Sequence, residues 1–224
     1  MRPPSRFRAR RVTQGELVVT VRAIRPDDRD ALRAAFHKLS PQSRYRRFQG
    51  HVSDLSPAML RYLTEVDGDE HFAVVALLER PRRPALRALP GALFERWQAP
   101  PEIVGVARLI RLRSDTAEVA ITVADALQRK GLGAHLLSIL VTHARRSGVD
   151  TLVAHVLADN TPMRELLSNA GVVRTVDHDT VTVALPKRSA RQADARRRAA
   201  RAWRAGGVRL VLALRWLRVQ RWSS

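Results

Sequence analysis

The chain has 224 residues, 45% of them hydrophobic, enough for one packed domain with extensions. It contains no cysteine, which excludes disulfides, thiolate metal sites and a thiol nucleophile, and fits a reducing, cytoplasmic setting. The net charge of +19 sits mostly at the ends: residues 1–11 hold five arginines and no acid, and residues 187–224 hold twelve Lys and Arg against one Asp. With a first strand starting at Glu16, the chain is read as a basic N-terminal arm (1–15), a central domain (16–186) and a basic tail (187–224). No apolar run follows Met1 to Arg6, and no stretch is long and uncharged enough to span a bilayer, so neither a secretory leader nor a membrane span is expected.

Glu16 to Ile24 alternates as a first strand. Pro26-Asp27-Asp28 opens a helix, with acids where they complement the dipole, and Leu32, Ala35, Phe36 and Leu39 give it one apolar stripe. Ser40-Pro41 and Ser56-Pro57 are N-cap plus N1-proline pairs and predict two more short helices. Phe72 to Leu78 reads as a buried strand. Residues 80–101 hold five of the twelve prolines and read as an irregular insertion, with a short helical turn near Leu93 to Trp97. Ile103 to Leu112 and Ala117 to Val123 form a hairpin around Arg113-Ser114-Asp115. His135 to Arg146 is a helix and Thr151 to Leu157 the next strand. Pro162 to Ala170 is a helix capped by Gly171, and Val172 to Val176 and Val181 to Leu185 complete the sheet. This β/α order predicts an α/β, three-layer domain around one twisted mixed sheet.

The most informative stretch is Gln128-Arg129-Lys130-Gly131-Leu132-Gly133-Ala134, between the strand Glu118 to Val123 and the helix from His135. A glycine-bearing turn at such a junction aims free backbone N–H groups and the positive helix end at one spot, suited to phosphate or pyrophosphate. A helix start that binds nothing is the plainer reading of the same residues.

Gln-x-x-Gly-x-Gly/Ala after a strand resembles the acetyl-CoA loop of the GNAT acyltransferase superfamily. Asn160, followed eleven residues later by Gly171, is similar to a second GNAT signature. Leu39 to Phe48 and Leu63-Thr64-Glu65-Val66-Asp67 resemble the bacterial protein-lysine acetyltransferase branch. The resemblance covers about residues 16 to 186 and implies a GNAT-like fold and acetyl transfer from acetyl-CoA to an amine, above all a protein lysine. It implies that Ile121, Thr122 and Val123 offer backbone groups to the pantetheine arm, with the Val123 N–H toward the thioester oxygen. Gln128, Arg129, Lys130, Gly131, Leu132, Gly133 and Ala134 would hold the pyrophosphate, and Asn160 would lie near the pantetheine, where helix N-capping is an equal reading. Glu118, ten residues before Gln128, is the candidate general base; its apolar neighbours should desolvate it and favour proton uptake. A Glu paired on the solvent face with Arg108 or Arg111 is the competing reading.

Two positions depart from the family. Leu167 stands where many GNAT enzymes carry a tyrosine acid for the leaving thiolate, and Arg129 stands where a small residue is common, so its side chain must point outward. The histidines at 37, 51, 71, 135, 143, 155 and 178 lack helical metal-site spacing, and no metal is expected. Trp203, Trp216 and Trp222 among arginines suit an anionic membrane surface or nucleic acid, or a solvated helical extension. The alternatives to protein-lysine acetylation are a small-molecule amine acetyltransferase and a non-catalytic acyl-CoA-binding module whose tail is its working surface.

Overall fold

The computed structural model describes residues 10–14, 17–78, 101–177 and 179–185. The expected insertion, apart from Pro101, lies outside the described residues, as do the tail and His178. In chain order the elements are β1 (Arg10–Gln14), β2 (Leu17–Ala23), α1 (Arg29–His37), α2 (Pro41–Phe48), α3 (Pro57–Thr64), β3 (His71–Leu78), β4 (Glu102–Arg111), β5 (Thr116–Val123), α4 (Leu132–Arg146), β6 (Thr151–His155), α5 (Thr161–Ser168), β7 (Val172–Asp177) and β8 (Thr180–Ala184). β1 lies in the stretch read as an arm, where no strand was expected; it pairs antiparallel with β2.

The strands form one sheet in the order β1-β2-β3-β4-β5-β6-β8-β7. Every neighbouring pair is antiparallel except β5 and β6. β3 is apolar from Phe72 to Leu78, and Phe72 to Leu77 are all buried, as a central strand covered on both faces requires. On one face α4 presents Leu132, Leu136, Leu137, Ile139, Leu140 and Ala144 at helical spacing to Ala107, Leu109, Ala117 and Val119. Leu136 and Leu140 are fully buried, worth roughly 1.5–3 kcal/mol each. On the other face α1 and α3 set Leu32, Phe36, Leu60 and Leu63 against Ala73, Val75, Leu77 and Ile103. The expected three-layer α/β architecture is therefore the observed one.

The local signals hold for physical reasons. Ser40 Oγ accepts from the Ser43 N–H and Ser56 Oγ from the Met59 N–H, each at 3.2 Å, satisfying donors that the first helical turn leaves open. α2 docks back on α1: Arg44 donates to the Leu39 and His37 carbonyls, and the Phe36 and Phe48 rings meet edge to face at 5.7 Å.

One expectation is corrected. Gly171 does not cap α5 in a left-handed conformation; the helix ends on Asn169 in ordinary helical geometry. Glycine is needed there for space, because a Cβ would lie 2.2 Å from the Ala184 carbonyl oxygen. No helix among the described residues is long and apolar enough to cross a membrane.

Candidate active site

The site begins where the sheet comes apart. β5 pairs with β6 only from Thr116 to Glu118, against Thr151 to Val153; beyond Glu118 the two strands diverge. β5 keeps its antiparallel partner β4 as far as Val123. The ladder donates from Leu112 N–H to the Thr116 carbonyl at one end and from Ala124 N–H to the Val104 carbonyl at the other. Alternation between those ends turns the backbone groups of Ala120 and Thr122 toward β4, and those of Ile121 and Val123 toward the opening. The carbonyl of Val123 accepts from Gln128 Nε2 at 3.1 Å, which leaves its N–H directed into the opening. The backbone groups of Ile121 and Val123 thus lie on the free strand edge, whereas the backbone of Thr122 serves the β4 ladder and its side chain faces α1 and α2.

Past Val123 a short 3-10 turn, Asp125–Leu127, leads through Gln128 to the glycine loop. Gly131 is the N-cap of α4 with φ of 80°, a conformation that glycine alone adopts without strain. Gly133 faces Leu166 and Val123, which a Cβ there would meet at 3.4 and 3.9 Å, in ordinary contact. The N–H groups of Gly131 to Ala134 open a 15-residue helix with no acid in its first turn. Arg129, in left-handed geometry, points outward and pairs with Glu165 of α5 at 3.4 Å. Lys130 is exposed beside it. Donors, dipole and two cations are what a pyrophosphate requires, so the residues present fit the phosphate end of acetyl-CoA.

Glu118, Ala120 and Thr122 share the face that looks toward α1, α2 and α3, together with Val106 and Arg108 of β4. Glu118 is half-buried. The two arginines that compete for it are engaged elsewhere. Arg108 contacts His71 Nε2 at 3.0 Å and donates to the Leu63 carbonyl at 3.2 Å. Arg111 pairs with Glu70 at 3.3 Å and donates to the Ser114 and Ser147 carbonyls. Burial holds Arg108 down to about 9, with repulsion from Arg47 adding to the effect. Burial and then the Arg108 charge push His71 down to about 4, so its imidazole is neutral near pH 7. Arg47 of α2 is also lowered by burial, and Glu118 pulls it partly back.

α2 spans the opening, a feature that sequence reading missed. Ser40 and Ser43 bond to Asp125 at the end of β5, and Gln128 Nε2 reaches both Asp125 and Ser43. At the other side Arg46 pairs with Asp159, beyond the end of β6, at 3.0 Å. The Ser-Pro cap was visible in sequence, but its partner lies 85 residues away. Asn160 caps α5, its Oδ1 accepting from Met163 N–H at 3.4 Å. Leu167 is fully buried in the core rather than exposed to the opening.

A family model for the Acetyltransferase (GNAT) family matches residues 29–171. Acetyltransferase PA5475 of Pseudomonas aeruginosa is 33% identical over 165 residues, covering 73% of this chain and 80% of that protein. Acetyltransferase Pat of Mycolicibacterium smegmatis is 34% identical over 138 residues, which are 61% of this chain and 35% of Pat, so the chain matches only about a third of that protein. Among solved structures, the GNAT domain of S. lividans PAT superposes with a TM-score of 0.62 at 24% identity, covering 78% of this chain and 94% of that one, a likeness of fold. With the glycine loop opening α4, the strand edge freed at β5 and these matches, the chain belongs to the GNAT acetyltransferase family, enzymes that take their acetyl group from acetyl-CoA.

Proposed function

We propose that this acetyltransferase acts on a protein lysine, with Glu118 as general base. The observation that carries the reading is the position of Glu118. It is half-buried at the last residue of the β5–β6 pairing, on the face where an acceptor would enter, and it is not tied to Arg108 or Arg111. The similarity to Pat supports the choice of a protein acceptor.

Acetyl-CoA supplies an activated thioester, so the protein's tasks are positioning, proton removal and charge stabilisation. The N–H groups of Gly131 to Ala134, with Arg129 and Lys130, hold the pyrophosphate. The Ile121 backbone and Asn160 guide the pantetheine arm, and the Val123 N–H, steadied by Gln128 on its carbonyl, polarises the thioester oxygen. Glu118 takes the ammonium proton, directly or through water, leaving the neutral amine to attack the thioester carbon. A C–N bond forms as the C–S bond breaks and the thiolate leaves, and the second proton that the nitrogen sheds on becoming an amide passes to solvent. Leu167 offers no hydroxyl, so the thiolate gains its proton from solvent. For residues 187–224, composition alone supports contact with an anionic membrane surface or nucleic acid.

Glu118→Gln tests the assignment. Loss of a positioned general base should lower kcat by about 10²–10⁴-fold, with acetyl-CoA affinity by calorimetry unchanged. Wild-type turnover in the variant would return Glu118 to a structural role.

A further inference from the structure

The sheet face that carries Glu118 also walls a cavity of about 60 Å³. Its lining is almost wholly apolar, with Phe36, Phe48, Leu55 and Ile103 prominent, and the charged residues in it are Arg47 and Arg108. Ala120, Thr122 and Ala124 form one wall, so the cavity adjoins the stretch of β5 whose other edge faces the donor opening.

The two arginines in this cavity lack the carboxylate partners that other arginines of the domain have. Several exposed or half-exposed arginines of the domain have carboxylate partners, among them Arg33 with Asp54, Arg46 with Asp159 and Arg129 with Glu165. Arg108, only 3% exposed, has a neutral imidazole and a backbone carbonyl. Arg47 lies 5.0 Å above the Phe48 ring; Glu118 attracts it from the same sheet face, but no carboxylate of the described residues forms an ion pair with it. Arg108 is buried and Arg47 half-buried, and two cations lining one apolar cavity are costly unless an anion meets them. A carboxylate matches a guanidinium in shape and accepts two parallel N–H bonds from it.

We propose that this cavity is a carboxylate-binding subsite of the acceptor site, formed by Arg47 and Arg108, selecting amine acceptors that carry a carboxylate close to the reacting amine. The proposal rests on the reading that the Glu118 face receives the amine. In a protein acceptor the carboxylate is an acidic side chain beside the target lysine; in a small acceptor it is the amino acid's own carboxylate.

The test uses the full chain with saturating acetyl-CoA and measures CoA release. Lysine peptides with glutamate beside the lysine are compared with glutamine counterparts, and free lysine with lysinamide. The carboxylate member of at least one pair should have a kcat/KM about tenfold or more higher, and Arg47→Gln should bring that ratio toward one. The pair that responds identifies the source of the carboxylate. Equal rates in both wild-type pairs, or a ratio untouched by Arg47→Gln, overturn the subsite while leaving acetyl transfer in place. A second measurement does not depend on turnover: ¹⁵N spectra of arginine side chains during titration with propionate or propionamide. Shifts of Arg47 and Arg108 with propionate alone uphold the subsite even if no amine is acetylated. No shift with propionate overturns it.

Discussion

Asp125 joins segments far apart in the chain, and its removal has a calculable consequence. Its Oδ1 accepts from Ser43 Oγ at 2.5 Å, Ser40 Oγ at 3.0 Å and Gln128 Nε2 at 3.2 Å, and its Oδ2 accepts from Ser40 N–H at 2.9 Å. A hydrogen bond to a charged acceptor contributes about 1.5–3 kcal/mol when sequestered. Asp125 is exposed, so water replaces much of what Asp125→Ala removes, and the whole cluster is worth about 1–3 kcal/mol. At 2–4 °C per kcal/mol for a domain of this size, Tm should fall by roughly 2–12 °C at pH 7. Partial burial raises the Asp125 carboxyl, but the hydrogen bonds from Ser43 and Ser40 outweigh it and hold the group below the usual range. A carboxyl depressed in the folded state stabilises above its unfolded value, near about 3.9, and loses that contribution as pH falls through the folded value. The difference between wild type and Asp125→Ala should therefore be constant from pH 7 to about 5 and shrink in stronger acid. Scanning calorimetry of both proteins across that range is the assay. A Tm within about 1 °C of wild type at pH 7, or a difference that grows with acid, would refute the reasoning.

Two further outcomes concern the frame around the site. Gly171→Ala should destabilise by about 1–3 kcal/mol or more, read as a lower urea midpoint, because the new Cβ meets a backbone carbonyl at 2.2 Å that cannot yield without moving β8; an unchanged midpoint would show that the turn into β7 has room. His71, held at about 4 in the fold against about 6.5 unfolded, binds its proton more readily when unfolded. Its contribution is complete above about pH 6.5 and is lost as pH falls toward about 4. Solvent contact screens the effect to the order of 1 kcal/mol, and parallel pH–stability curves for wild type and His71→Gln would contradict it.

Local chemistry was readable without the fold. Ser40 and Ser56 cap because serine and proline meet helix-start geometry within three residues, and the Arg113-Ser114-Asp115 turn closes a hairpin whose strands lie next to each other in sequence. Gly131 and the helix after it could be read because the left-handed N-cap and the apolar spacing of α4 are both short-range properties. These elements, with the Asn160 to Gly171 spacing, were enough to point to the family and to a donor loop.

What the sequence determined by itself was the inventory: an α/β chain, a glycine turn suited to pyrophosphate, and Glu118 ten residues upstream of it. Only the tertiary structure decided how those parts face one another. β8 inserts between β6 and β7, an arrangement that strand patterning cannot express. The parting of β5 from β6 after Glu118 leaves the backbone groups of Ile121 and Val123, and not those of Thr122, on the free strand edge. Arg108 and Arg111 look alike along β4, yet one is buried against His71 and the other pairs with Glu70 near the surface. Propensity and periodicity act over a few residues, whereas burial, strand divergence and the bond from Ser40 to Asp125 depend on contacts between segments up to 85 residues apart, which exist only once the chain has folded.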